Sequence, residues 1–196
     1  MSETPSARWF DEWTEAQRTE YADRFRKLAA SGTDIDGEAR MVDAIAGRGS
    51  RILDAGCGAG RLSAYLAAHG HEVLGVDIDP LLVAAGRELY PGLPLQELDL
   101  RDVSPALGSF DIVASAGNVM VYLEPGSERS VLEALASVLR PGGRAVFGFA
   151  TDRAYTHDQL DLDAASVGWT REARWATWEL DPFSTDATWA VSLYRG

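Results

Sequence analysis

The stretch Asp54-Ala55-Gly56-Cys57-Gly58-Ala59-Gly60 constrains the fold more than any other part of the chain. It ends a short apolar run, Arg51 to Ala55, and precedes Arg61 to His69, where Leu62, Tyr65, Leu66 and His69 recur at helical spacing. Strand, glycine turn and helix in that order open a parallel α/β sheet. Ligands of such sheets sit at the carboxyl ends of the strands, where glycines let the backbone turn tightly and come close. The next apolar run, Glu72 to Val76, leads into Asp77, in the position where a carboxylate accepts both hydroxyls of a ribose. Asp79, directly before Pro80, is the more natural helix cap of the two acids, which leaves Asp77 for a ligand. A nucleoside-bearing cofactor is therefore expected. A nicotinamide dinucleotide is the first rival, but its fingerprint needs a small residue at position 61, and the chain has Arg61 there.

The alternation of apolar runs and amphipathic stretches continues along the chain. Leu81 to Leu89 reads as a helix closed by Pro91-Gly92, Leu95 to Leu98 as a third strand and Phe110 to Ser115 as a fourth. A helix from Ser127 to Leu139 ends at Pro141-Gly142-Gly143, and Arg144 to Ala150 is a fifth strand. Two more strands, Trp169 to Leu180 and Ala187 to Arg195, are joined through Asp181-Pro182-Phe183-Ser184. The pattern predicts a doubly wound, mostly parallel seven-stranded sheet with helices on both faces and an antiparallel C-terminal hairpin at one edge. Upstream, a helix over residues 11 to 30 breaks at Ser31-Gly32-Thr33 and a second runs from Glu38 to Ala46. Residues 1–49 are thus expected to form a helical cap without a core of its own, over a core domain spanning 50–196.

Composition narrows the function. A chain of 196 residues, 46% apolar, suits one globular domain. Thirty acidic against eighteen basic residues give a net charge of −12, the wrong sign for neutralising nucleic-acid phosphates or anionic lipid, so neither is an expected partner. A single cysteine, Cys57, excludes an internal disulfide and cysteine-based metal sites. The N-terminus lacks a signal-peptide core, and no window reaches the roughly 18 apolar residues of a membrane span, so a soluble cytoplasmic protein is expected.

Over roughly residues 38 to 196 the chain resembles the class I S-adenosylmethionine-dependent methyltransferases. Five segments match in order. They are the Asp54 to Gly60 loop, Asp77, Leu98-Asp99-Leu100, Phe110-Asp111-Ile112-Val113, and Leu139-Arg140-Pro141-Gly142-Gly143. The resemblance implies a Rossmann-like methyltransferase fold and S-adenosylmethionine as cofactor, with S-adenosylhomocysteine as product. It implies that the backbone of Gly56, Cys57 and Gly58, in the loop closed by Gly60, lines the methionine portion, with Asp54 near its amino group. Asp77 would hold the ribose and Ile78 would pack on the adenine, while Asp99 accepts from the adenine amino group and the Leu100 amide reaches the ring. Gly117 and Asn118, after the fourth strand, would border the sulfonium and the acceptor pocket. Family members often close an N-terminal helical segment over the cofactor, which makes Tyr21 a lid candidate. Met120, just beyond Asn118, is placed on the acceptor side.

The implied reaction is an in-line displacement of a neutral thioether by an oxygen, nitrogen or carbon of a small molecule. It depends on alignment and needs no metal. A base is required only when the acceptor's own pKa is high, and His157, beside Asp158, is the candidate. Cys57 reads as a small packing residue, because no histidine lies near it in sequence. Asn118-Val119-Met120-Val121 is not the Asn-Pro-Pro-Tyr type of site that methylates amino groups of DNA bases, and Glu124 and Glu128 read as carboxylates near a helix start. Arg40 reads either as a residue approaching the cofactor or as the partner of a carboxylate. The expected partner is a small-molecule acceptor, and the expected state is a monomer or homodimer. Two other classes stay open: a non-catalytic module that senses S-adenosylmethionine, and an NAD-dependent oxidoreductase. The second suffers from having only Lys27, outside the sheet region, for a Ser-Tyr-Lys active site.

Overall fold

The computed structural model describes residues 7–196; residues 1–6 of the expected cap lie outside the described residues. Seven strands form one sheet: β1 (Arg51–Ala55), β2 (Glu72–Asp77), β3 (Leu95–Glu97), β4 (Phe110–Ser115), β5 (Leu139–Ala150), β6 (Thr170–Trp175) and β7 (Trp189–Arg195). Their order across the sheet is β3-β2-β1-β4-β5-β7-β6. The first five are parallel, and β7 runs antiparallel to both β5 and β6. The chain moves outward from β1 to β3, then returns to β4 on the other side of β1. That reversal opens a crevice at the carboxyl ends of β1 and β4.

Helices α1 (Arg8–Glu12), α2 (Glu15–Ala30), α3 (Gly37–Ile45), α4 (Arg61–Ala68), α5 (Pro80–Leu89), α6 (Glu128–Val138) and α7 (His157–Ser166) surround the sheet. Successive strand residues face opposite sides, so alternate positions build two cores. Leu53, Val113, Ala145 and Phe147 pack with Val131, Leu132 and Leu135 of α6. Ile52, Ile112, Ala114 and Val146 pack with Met41 and Val42 of α3 and Leu62 and Leu66 of α4. At the amino ends of the strands, Arg51 fastens the sheet. Its Nε donates to Glu72, its guanidinium to the carbonyls of Leu107 and Ser109, and its backbone N–H to Asp111 Oδ2 at 2.8 Å. The opposite edge, where β1, β2 and β4 end, carries the glycine loop and is roofed by α1 and α2.

Several boundaries differ from the sequence reading. The expected single helix over 11–30 is two, because Trp13 is extended (φ −120°, ψ 117°), which ends α1 and turns the chain before α2. Strand β5 begins at Leu139, since Leu139 pairs with Phe110 before a register shift at Ile112. The connection from β6 to β7 takes in residues 176–188, of which the expected Asp181 to Ser184 turn is a part. Helix α7 was not anticipated. Its start is encoded by Thr156, whose Oγ1 accepts from Gln159 N–H at 3.2 Å, a Thr-x-x-Gln cap.

Candidate active site

The glycine loop is fixed by β2. The N–H groups of Gly56 and Cys57 both donate to the carbonyl of Val76, at 2.8 and 3.0 Å. Gly56 has φ +85°, and a Cβ there would lie 2.4 Å from a methyl of Val119, so the turn and the loop after β4 approach too closely for any side chain. The β2 strand ends at Asp77, half-buried, whose Oδ2 accepts from Gly58 N–H at 2.8 Å and Oδ1 from Asp79 N–H at 2.9 Å. Burial pushes its carboxyl up to about 6, even though both amides favour the charged form. Asp54, buried at the end of β1, accepts from Ser63 Oγ at 2.6 Å, and burial pushes it up to about 7. Burial also raises the Cys57 thiol, which keeps it protonated and unreactive.

Part of this arrangement lines a cavity of about 470 Å³ that includes Gly56, Gly58, Asp77, Ile78, Asp99, Leu100, Gly117 and Asn118. A second cavity of about 250 Å³ shares Gly56, Gly58, Gly117, Tyr21, Phe25 and Glu38 with the first and adds Asp54 and Cys57. The roof is aromatic. Trp9 and Trp13 stack at 4.8 Å between ring centres, and both meet Tyr21 and Tyr122 edge-on at 5.5 to 6.3 Å. Burial raises the Tyr21 phenol above its ordinary value, so it stays protonated. Asp99 accepts from Arg101 N–H at 2.8 Å and from its guanidinium at 2.7 Å, while Arg101 also donates to Glu124 at 2.6 Å. Burial works to raise Asp99, but the Arg101 contacts outweigh it and hold the carboxyl below the usual range.

The chemistry of the donor set suits a nucleoside carrying a cation. An ionised carboxylate offers about four acceptor positions, and Asp77 spends two on backbone amides, which leaves one per oxygen for a diol. Burial raises Asp54 and Asp77, an effect that a positive charge bound in the cavity would offset. The fold and sequence also match a solved relative. A TehB-like SAM-dependent methyltransferase from Corynebacterium glutamicum is 39% identical, with 92% of this chain and 98% of that one superposed at a TM-score of 0.87. The chain belongs to the S-adenosylmethionine-dependent methyltransferases.

Residues 52–143 of this methyltransferase match the family model described as "Methyltransferase domain". A ubiquinone biosynthesis O-methyltransferase from Aeromonas salmonicida is 33% identical over 139 residues, covering 62% of this chain and 57% of its own length. A magnesium-protoporphyrin O-methyltransferase from Rhodobacter capsulatus is 34% identical over 90 residues, covering 43% of this chain and 39% of its own. The methyltransferase thus spans less than two thirds of these curated relatives.

Most expected site residues meet at the two cavities. Three do not. Met120 is 1% exposed and packs in the core with α6, because the turn after Asn118 aims it inward. Gly60 lines neither cavity; it precedes α4 in a left-handed conformation, and a Cβ there would strike Leu95. His157 begins α7, with its ring edge-on to Phe183 at 5.1 Å, and lines neither cavity. Arg40 resolves in favour of its plainer reading, since it pairs with Asp34 at 2.7 Å on the surface. Arg61, which breaks the dinucleotide fingerprint, donates to the Ile35 carbonyl and to Glu38, and so fixes α3 beside the loop. The sequence reading passed over Arg101 and Tyr122, both cavity residues. Glu124, read there as a helix-start carboxylate, also reaches the cavity through Arg101. No residue spacing announces these, because they converge from separate loops.

Proposed function

We propose that this methyltransferase transfers the methyl group of S-adenosylmethionine to an oxygen, nitrogen or carbon of a small molecule. The observation that carries the reading is Asp77. It lies at the end of β2 with each oxygen already on a backbone amide, facing a cavity continuous with the glycine loop. In this reading Asp77 takes the ribose hydroxyls, Ile78 and Leu100 flank the adenine, and Asp99, oriented by Arg101, accepts from its amino group. The Gly56-Cys57-Gly58 backbone lines the methionine portion, and Asp54 attracts its ammonium. Gly117 and Asn118 border the reacting methyl, with Tyr21 above. The cofactor supplies an electrophilic methyl on a sulfonium.

The remaining work falls to the chain as alignment and exclusion of water. The roof closes the cavity to a size suited to a small acceptor, and the curated relatives named above carry small-molecule O-methyltransferase names. Glu38 and Glu124 in the cavity are each engaged by an arginine, so the acceptor's own acidity decides whether it arrives as a competent nucleophile. The described part of the cap, residues 7–49, and the core over 50–196 act as one unit in this reading, with the acceptor entering beneath the cap. Among the described residues no helix is long and apolar enough to cross a membrane.

Calorimetry with S-adenosylmethionine, S-adenosylhomocysteine and NAD on the wild type and on Asp77→Ala tests the reading. Both sulfur ligands should bind, and the variant should lose affinity by about a hundredfold, the effect of removing two bonds to a charged group. Binding of NAD alone, or of none of the three, sinks it.

A further inference from the structure

Asp79 receives more bonds than a helix cap needs. Its Oδ1 caps α5 by accepting from Leu81 N–H at 3.0 Å, and the same oxygen accepts from Arg18 Nη1 at 2.9 Å. Oδ2 accepts from Trp9 Nε1 at 2.8 Å. The Asp79 side chain is 0% exposed and that of Arg18 is 15% exposed, so this is a sequestered pair in which charge-assisted bonds are strong. Both donors come from the roof, Trp9 from α1 and Arg18 from α2. Asp79 also donates its backbone N–H to Asp77, which ties the same residue to the candidate ribose acid. On the other side of the cavity, Trp9 N–H donates to the Tyr122 carbonyl at 3.3 Å.

The roof is therefore strapped across the cavity, from the start of α5 to the loop after β4. One of these attachments leaves a buried donor unpaired. Arg18 Nε is buried without a partner, so the guanidinium is incompletely satisfied in the closed arrangement and gains a hydrogen bond when it reaches water.

We propose that Asp79 is a positioning residue that couples the roof to the cofactor site: its bonds to Trp9 and Arg18 hold α1 and α2, and with them Tyr21, over the cavity, and must break for the product to leave. The inference rests on the reading of this cavity as the S-adenosylmethionine site. A purely structural cap predicts something different. It needs one acceptor for Leu81, and asparagine supplies that as well as aspartate does.

The test uses the full chain, S-adenosylhomocysteine as the probe, and stopped-flow fluorescence to follow its association and release. Three variants are compared with the wild type. Asp79→Asn keeps the α5 cap and drops the charge, Trp9→Phe keeps a ring and drops the N–H, and Arg18→Met keeps much of the stem and drops the guanidinium. Hydrogen exchange on the ligand-free proteins reports whether β1 to β5 remain as protected as in the wild type. With the sheet intact, each variant should release S-adenosylhomocysteine about tenfold faster or more, and exchange should quicken in α1 and α2 alone. Release within twofold of the wild type in any variant with an intact sheet overturns the coupling while leaving the cofactor reading in place. Failure of the wild type to bind the probe overturns the cofactor reading, and the coupling with it.

Discussion

The carboxyls of Asp54 and Asp77 titrate at about 7 and about 6 because burial disfavours their charged forms. If a bound ammonium and a ribose diol require both ionised, the affinity for S-adenosylhomocysteine scales with the product of their ionised fractions. At pH 8 that product is about 0.9, and at pH 5 it is about 0.001, so affinity should fall about a thousandfold over this range. The slope is about one decade per pH unit between 7 and 6, and it approaches two decades below 6 as Asp77 joins. Calorimetry in buffers of different ionisation enthalpy adds a second reading, the release of about one proton per ligand bound near pH 6.5. Asp77→Asn should remove the steeper part below pH 6 and leave the shallower one. Stability runs the other way. Both groups are raised above the unfolded carboxylate, which titrates near about 4, so the ligand-free chain gains stability from them as pH falls from 7 towards 4. Asp99, Asp111 and Glu172, which their arginine partners hold low, lose their contribution only below that window. Loss of binding therefore precedes acid unfolding. An affinity that stays within threefold from pH 8 to pH 5, with far-UV dichroism unchanged, refutes the assignment of charge-dependent roles to these two acids.

Two glycines carry further expectations. Gly86→Ala, within α5, should gain about 1 kcal/mol of helix propensity. Its Cβ, however, would sit 2.8 Å from the Ala59 carbonyl oxygen and 2.6 Å from Leu95 Cδ1, so urea unfolding should show a net loss of about 1–3 kcal/mol, and a net gain contradicts the contact. Gly56→Ala combines φ +85° with a Cβ 2.4 Å from Val119; it should cost about 1–3 kcal/mol and abolish S-adenosylhomocysteine binding. Adding Val119→Ala should recover part of the stability, and unaltered melting and binding in the single variant defeats the close-approach argument.

The parallel half of the sheet was legible because its signals are local. Apolar runs such as Ile52 to Ala55 and Val73 to Val76 end at glycines or acids whose spacing already encodes a strand followed by a helix. Asp77 could be singled out because Asp79 sits before a proline, and the structure shows Asp79 capping α5. What escaped is set by contacts between distant segments. Arg101 belongs to the site through Asp99 and Glu124, 23 residues away from the latter, and no periodicity reports that. Met120 follows Asn118 by two residues, yet the turn between them sends one into the core and leaves the other in the cavity. Helix α7 escaped because its apolar positions form a weak stripe, Leu160 and Ala164, with Leu162 exposed on the other side. His157 gained its candidacy from sequence position alone, and its ring packs against Phe183 and lines neither cavity.

The placement of β7 between β5 and β6 gives this chain an awkward order of birth. On the ribosome β6 emerges before β7, yet β6 bonds to nothing in the sheet except β7. Until Trp189 to Arg195 has been synthesised, β6 has no neighbour and β5 is an edge. It then offers the N–H and C=O groups of Arg144 to Ala150 to any other extended chain. The nascent protein thus carries an open seam beside its finished nucleotide-type half, and the strand that seals it comes late. Crowded polysomes would present many such seams at once, each complementary to the β7 of a neighbouring chain.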